Sequence, residues 1–354
     1  KAVMGIEINP GLDKSDFKIV YSPQHGADNI PVRTCLKRLG YDIVPVLAQC
    51  APDPDYTNTK SPNPEVDASY ELAIKLAKEV DADVVAITDP DGDRLGVVAK
   101  HNGEYVLMSG NQSAAVYLEY ILSQRKEKGT LPDNAVMYNT IVTSDLGELV
   151  ARNYGVDVEK TLTGFKFIGD KIRKYEKTHE KQFIFGYEES YGCVVEDFVR
   201  DKDAVQAVLL AAECGNYYKK QGKDLIDVLN ELYAKYGTFK ESQIALAKAG
   251  AAGAARIKEM MDTLRQDKPT EIGGVKVVLS EDYATSERSD GTTIDLPKSN
   301  VLKYYLEDGS WIAARPSGTE PKCKFYFSIK GKDAKDAADK TEVFHKAMME
   351  LIGE

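Results

Sequence analysis

The sequence predicts an α/β fold class: two tandem three-layer α/β domains with mostly parallel sheets, followed by a smaller α+β C-terminal domain. Two observations predict it. Short apolar runs rich in Val, Ile and Tyr alternate with longer amphipathic segments along most of the 354 residues, and from about Thr238 this alternation gives way to an alanine-rich segment followed by closely spaced short strands. No low-complexity linker interrupts the chain, so three packed domains are expected, at 1–104, 105–236 and 237–354.

The elements follow in order. "FKIVYSP" reads as a strand, "IPVRTCLKRLG" as an amphipathic helix ending at a glycine stop, "YDIVPVL" as a second strand, "SYELAIKLAKEV" as a helix and "ADVVAIT" as a third strand. This β-α-β-α-β order implies parallel strands joined by right-handed crossovers, with ligand groups gathered at the carboxyl ends of the strands. The pattern is expected to restart with "YVLMS" and the helix-like "NQSAAVYLEYILSQRKEKG". It continues through "NAVMYNTIV", "SDLGELVARNYG", "VDVEKTLTG", "KFIGDKIRKYEKT", "QFIFGYEES" and "DAVQAVLLAAECGNYYKKQG". Beyond these, "IALAKAGAAGAARIKEMMDTLRQ" precedes the strands "VKVVLS", "VLKYYLE", "SWIAAR" and "KFYFSIK" and the closing helix "KDAADKTEVFHKAMMELI".

With 43% apolar and 29% charged residues the chain can bury a full core. A formal charge of −10 and a pI near 5.2 argue against a nucleic-acid or anionic-membrane surface, although a local basic pocket for a small phosphate is compatible with both. Cys35, Cys50, Cys193, Cys214 and Cys323 are scattered and form no CxxC, so neither a disulfide scaffold nor a structural zinc site is indicated, and a cytoplasmic location is expected. No apolar run approaches the roughly 20 residues of a membrane span, and the first residues contain no signal-peptide core. The sequence opens on Lys1 without an initiating methionine, so it is expected to begin inside a longer gene product.

Three stretches carry chemistry. In "ITDPDGDRLGVV" an extended segment would point alternate side chains the same way, so Asp89, Asp91 and Asp93 converge, and carboxylates at that density suit Mg²⁺ or Mn²⁺. A polar turn whose aspartates cap the chain or pair with lysines is the alternative, disfavoured because three unneutralised carboxylates would repel one another. An EF-hand is excluded, because the places of its glycine and glutamate hold Arg94 and Lys100. Arg94 can meet a phosphate approaching the metal, and a further metal ligand must come from elsewhere.

The second stretch is "FGYEESYG". Glu188 and Ser190 would share one side of an extended loop and accept and donate to the vicinal hydroxyls of a sugar; a solvated glycine-flanked turn is the alternative. Downstream, "VRDKDA" offers Arg200 and Lys202, and upstream "LTGFKFIG" offers Lys166; a lone lysine is more often a surface residue than a functional one.

The third is "RPSGTEPKCKFY". Arg315, the hydroxyls of Ser317 and Thr319 and the backbone N–H groups around Gly318 make an anion cradle for a phosphate monoester, with Lys324 close behind. The Walker A spacing is absent, and a plain hairpin turn is the alternative.

Together the three motifs resemble the α-D-phosphohexomutases, which include phosphoglucomutases and phosphomannomutases, in the family's order and over essentially the whole chain. The resemblance implies that Asp89, Asp91 and Asp93 bind Mg²⁺, that Glu188 and Ser190 bind sugar hydroxyls, and that Arg315, Ser317, Gly318 and Thr319 hold the non-reacting phosphate; Lys166 and Lys324 are further substrate-binding candidates. Lys202 matches a lysine at the phosphoglucomutase active site, with Arg94 beside the metal as a second catalytic candidate. "SPQHGA" around His25 resembles a glycine-rich turn that opens the family's second domain.

The family's phosphoserine donates its phosphoryl group to a hexose monophosphate. The sugar 1,6-bisphosphate so formed reorients and returns the other phosphate, and Mg²⁺ neutralises charge on the transferring group. That serine lies in a TASHNP-like motif of an N-terminal domain, and none of the seventeen serines here precedes a histidine. The chain is therefore expected to match the family's second to fourth domains, with the N-terminal domain of the same protein as partner and no turnover alone. Sugar loops of GEMSGH type end in a histidine where this chain has Gly192, and "GYEESYG" looks more like the phosphoglucomutase and phosphopentomutase branch. Glucose phosphate is the expected substrate. Mannose or pentose phosphate specificity, or a non-catalytic phosphosugar-binding module, are the alternatives. A phosphatase using Asp89 as nucleophile is disfavoured, because DxDx[TV] and its companion motifs are missing.

Overall fold

The computed structural model describes residues 1–248, 250–318 and 320–354. They divide into two compact units, Lys1–Leu232 and Tyr233–Glu354. In the first, β1 (Lys18–Ser22), α1 (Asn29–Leu39), β2 (Asp42–Pro45), α2 (Glu71–Val80), β3 (Val84–Thr88), β4 (Leu95–His101) and β5 (Glu104–Met108) form the sheet β2-β1-β3-β4-β5 with its helices. β1 pairs in parallel with β2 and β3, whereas β4 and β5 run antiparallel. Every residue of β3 is buried, as a strand covered on both faces requires. Gly40, at φ +89°, ends α1 in the left-handed conformation the glycine stop predicts.

The "YVLMS" strand departs from expectation. It does not open a second α/β domain but pairs with β4, through the two-residue turn Asn102–Gly103, both at positive φ. A left-handed Asn-Gly pair is the favoured hairpin connection, so the chain must double back here.

Next come α3 (Gly110–Glu127), β6 (Ala135–Thr140), α4 (Leu146–Asn153), β7 (Asp157–Thr161), α5 (Phe165–Thr178), β8 (Gln182–Tyr187), β9 (Cys193–Val194), α6 (Ala204–Lys219) and α7 (Leu225–Tyr236). Their sheet has the order β7-β6-β8-β9, parallel except for β9. One of its faces buries Val136, Tyr138 and Phe183 against Phe165, Ile168 and Ile172 of α5. α6 is apolar nearly all round because it packs on β3 and β4 of one sheet and β9 of the other. A Cβ at Gly215 would come within 2.8 Å of the Phe17 ring, so glycine sets that close approach.

In the second unit β10 (Thr238–Ala247), α8 (Gly250–Asp267), β11 (Glu271–Ile272), β12 (Val275–Asp282), β13 (Glu287–Arg288), β14 (Leu302–Leu306), β15 (Trp311–Pro316), β16 (Lys322–Gly331) and α9 (Ala334–Leu351) form an antiparallel sheet with two helices. Leu302, Tyr304, Ile312, Ala314, Phe325 and Phe327 face Met260, Leu264 and Phe344 of those helices. β10, read at the sequence level only as the start of an alanine-rich segment, pairs with β16 along its whole length. The fold is thus the mixed α/β architecture expected. Among the described residues no helix is long and apolar enough to cross a membrane, and the five cysteines are buried and form no disulfide.

Candidate active site

β3 stops at Thr88 and β4 starts at Leu95, paired directly across the hairpin, so residues 89–94 form a loop at the carboxyl end of a buried strand. Its aspartates meet by a different route from the expected one. The segment is turned rather than extended: Gly92 sits at φ +75° and donates to the Asp89 carbonyl at 3.2 Å. The Asp89 carboxylate then accepts from the backbone of Asp93 at 3.0 Å and of Arg94 at 2.9 Å. One oxygen from each of Asp89, Asp91 and Asp93 lies within 4.8 Å of the others. Three converging carboxylate oxygens of graded exposure fit a small hard divalent cation. Burial, with the charges of Asp93 and Asp91, pushes Asp89 up to about 7 against the opposing donation from Arg94.

Two cations flank the loop. Arg94 places Nε 3.6 Å from Asp89 and 3.6 Å from Asp93, and its Nη1 donates to Glu65 at 2.7 Å. Lys202, from the turn before α6, reaches Asp93 at 2.9 Å and Asp201 at 3.0 Å. Burial opposes its charge, but the hydrogen bonds to Asp93 and Asp201 outweigh that and hold the ammonium above the ordinary lysine value. Lys202, Arg200 and Lys166 line one open cleft of about 810 Å³ that also includes Gly92.

The loop is braced from below. Ala27 donates to the Pro90 carbonyl at 2.9 Å, and a Cβ at Gly26 would stand 2.5 Å from the Pro90 Cα, so the "SPQHGA" turn presses directly on the aspartate loop. Gln24 and His25 both take positive φ there. Asp28 stands against Gly92, and the Gly92 carbonyl accepts from Ala204 at 3.0 Å. Glu65, Asp28 and Gly26 were not singled out from the sequence; only the glycine-rich turn offered a signal.

Glu188 and Ser190 lie at the tip of the β8–β9 hairpin. Glu188 is buried and accepts from the Gly164 backbone at 2.8 Å, which ties it to the start of α5, where Lys166 is exposed. Gly164, at φ +113°, is the residue that permits this turn. Leu95 donates to the Tyr191 carbonyl at 2.9 Å, so the hairpin tip and the aspartate loop are bonded to each other.

In the second unit Arg315 and Lys324 are paired across β15 and β16, on the face opposite the helices, and Arg315 donates to the Tyr326 hydroxyl at 3.4 Å. Ser317 donates its backbone N–H to the Lys322 carbonyl at 2.7 Å, and Ser317 and Gly318 are exposed. Thr319 lies outside the described residues. A further group, His101 with Asp224 and Asp227, is a helix cap: Asp224 accepts from Ile226 at 2.8 Å and Asp227 at 3.0 Å, and His101 bonds Asp224 at 2.8 Å.

A loop of three aspartates at a strand end, bonded to the β8–β9 hairpin tip, sits in a fold that other proteins share. The chain belongs to the phosphoglucomutase/phosphomannomutase family: models of its α/β/α domain II, α/β/α domain III and C-terminal domain match residues 6–103, 109–236 and 249–344. It is 38% identical over 325 residues to a phosphoglucomutase of Staphylococcus haemolyticus, covering 90% of this chain and 58% of that protein. A phosphoglucomutase of Staphylococcus aureus is 38% identical over 336 residues, with 93% and 60% covered. The chain thus spans less than two thirds of the length of these relatives. Parafusin, a phosphoglucomutase from Paramecium solved in its open form, superposes with a TM-score of 0.71 at 19% identity, covering 100% of this chain and 62% of its own. A phosphoglucomutase/phosphomannomutase family protein of Burkholderia thailandensis gives 0.67 at 18%, covering 99% and 64%. These two show the shared fold.

Proposed function

We propose that this chain supplies the metal, sugar and phosphate loops of a phosphoglucomutase-type enzyme, which interconverts glucose 1-phosphate and glucose 6-phosphate through a phosphoserine and a sugar 1,6-bisphosphate. The observation that carries the reading is the convergence of Asp89, Asp91 and Asp93 within 4.8 Å, flanked by Arg94 and Lys202. Mg²⁺ held by the three aspartates would neutralise charge on the transferring phosphoryl group. Arg94, tethered by Glu65, attracts a phosphate to the loop; Lys202 holds a proton on Nζ at its edge; Glu188 and Ser190 orient sugar hydroxyls. Arg315, Ser317, Gly318, Thr319 and Lys324 bind the distal phosphate by charge and backbone donors. The phosphoserine would come from an N-terminal domain of the same protein. A cytoplasmic location is part of the same reading, supported by five unpaired cysteines.

The test follows glucose 6-phosphate formed from glucose 1-phosphate with Mg²⁺ and catalytic glucose 1,6-bisphosphate. The 354-residue chain alone is expected to give no sustained turnover. The polypeptide extended upstream by a phosphoserine domain is expected to turn over, and to stop with Asp91→Asn. Sustained turnover by the chain alone would put the phosphoryl carrier inside these residues. An extended enzyme indifferent to Asp91→Asn would remove the loop from the chemistry.

A further inference from the structure

The β8–β9 hairpin tip closes through Glu188, which donates its N–H to the Gly192 carbonyl at 2.9 Å, and Asp203 donates to the Cys193 carbonyl at 3.0 Å. The second bond lays residues 201–203 alongside the hairpin, and Ala204 donates its N–H to the Gly92 carbonyl at 3.0 Å, so the segment that carries Lys202 is pinned to both the hairpin and the aspartate loop. The Lys202 stem lies against Gly192 where Nζ reaches Asp93: a Cβ there would stand 2.1 Å from Cδ, 2.9 Å from Cγ and 3.1 Å from Cε of Lys202. The Phe165 ring lies 5.4 Å from Nζ, and the side chain keeps 13% of its exposure.

Gly192 is not among the glycines at positive φ, so its backbone conformation is open to any residue. The nearest atoms a side chain would meet all belong to Lys202. Glycine is therefore required at 192 for space and not for backbone geometry. At 2.1 Å from a mid-stem carbon no rotation of a terminal group relieves the overlap, and the stem itself must leave.

We propose that Gly192 is a positioning residue for Lys202: the absent side chain is the passage by which the lysine places its ammonium against Asp93. A side chain at 192 and the lysine stem compete for one volume, so this hairpin presents one or the other beside the aspartate loop. The significance for catalysis rests on Lys202 belonging to the site as proposed above; the steric relation does not.

The experiment is carried out on the 354-residue chain in two parts. In the first, lysine acetylation is mapped by mass spectrometry: Lys202, ion-paired and mostly covered, reacts slowly. In Gly192→Ala it should react about tenfold faster, the factor expected when one charge-assisted hydrogen bond is lost. Unchanged labelling of a folded Gly192→Ala chain would overturn the proposal. In the second, urea midpoints are compared for Gly192→Ala in the native and Lys202→Ala backgrounds. A loss in the native background that vanishes with Lys202→Ala supports the passage, as does a single variant that fails to fold while the double variant folds. Equal losses in both backgrounds, or failure of both to fold, would show that another neighbour fills the space. Undiminished turnover of the extended enzyme with Lys202→Ala would instead sink the catalytic reading and leave the passage standing.

Discussion

Glu65 holds Arg94: the carboxylate lies 2.7 Å from Nη1, while Nε of the same guanidinium sits 3.6 Å from both Asp89 and Asp93. An arginine in that position competes for the carboxylates as well as serving the phosphate-receptor role proposed above, and the tether settles how far it can lean on them. A half-exposed pair of this kind contributes about 1 kcal/mol or less to stability. Glu65→Ala should therefore leave the urea midpoint nearly unchanged but weaken Mg²⁺ binding several-fold, because the freed guanidinium settles on the aspartates. Calorimetric titration checks this; unaltered affinity with a marked loss of stability would make Glu65 a fold residue only.

Glu189 gives a pH signature. Burial, then the neighbouring Glu188 carboxylate, push its carboxyl from 4.5 up to about 7, against the donation from Thr140. Because the folded value is the higher one, its contribution to stability is fully present below 4.5 and is lost as pH rises through about 7. Glu189→Gln should flatten the decline in urea midpoint over that window. A decline of the same steepness in the variant would assign the titration to another group.

Arg315 is the charged anchor of the phosphate cradle proposed for the second unit. In the extended enzyme Arg315→Ala should raise KM for the hexose phosphate and lower kcat/KM by about tenfold to a hundredfold, the range of a lost charge-assisted contact. The loop leaves the site if the kinetics do not change.

The sequence was most legible where one residue pattern answers to one physical demand. Three clustered aspartates after an apolar strand were readable as carboxylates that converge, and Gly40 after an amphipathic run as a helix end. Even so, the aspartates converge by a turn at Gly92 and not by strand alternation. Contacts set by tertiary approach were not readable: Glu65 precedes Arg94 by 29 positions in a Pro- and Asn-rich stretch that has no periodicity of its own. The strand at 104–108 was placed with the wrong sheet although Asn102–Gly103 carries a hairpin signal, because the α/β alternation on either side outweighed it. β10 was overlooked because its alternating Ile244 and Leu246 run into the alanines of the following helix.

Mg²⁺ titration of the 354-residue chain, native and with Asp89→Asn, Asp91→Asn or Asp93→Asn, bears most directly on the function proposed for the aspartate loop. One site is expected with a dissociation constant on the order of millimolar, since three carboxylates attract the ion but leave water in its remaining positions. Each substitution should weaken binding by tenfold or so, with little change in the urea midpoint of Asp91→Asn, whose side chain is the most exposed of the three. Binding that is undetectable at tens of millimolar, or that survives all three substitutions, would contradict a metal centre at this loop.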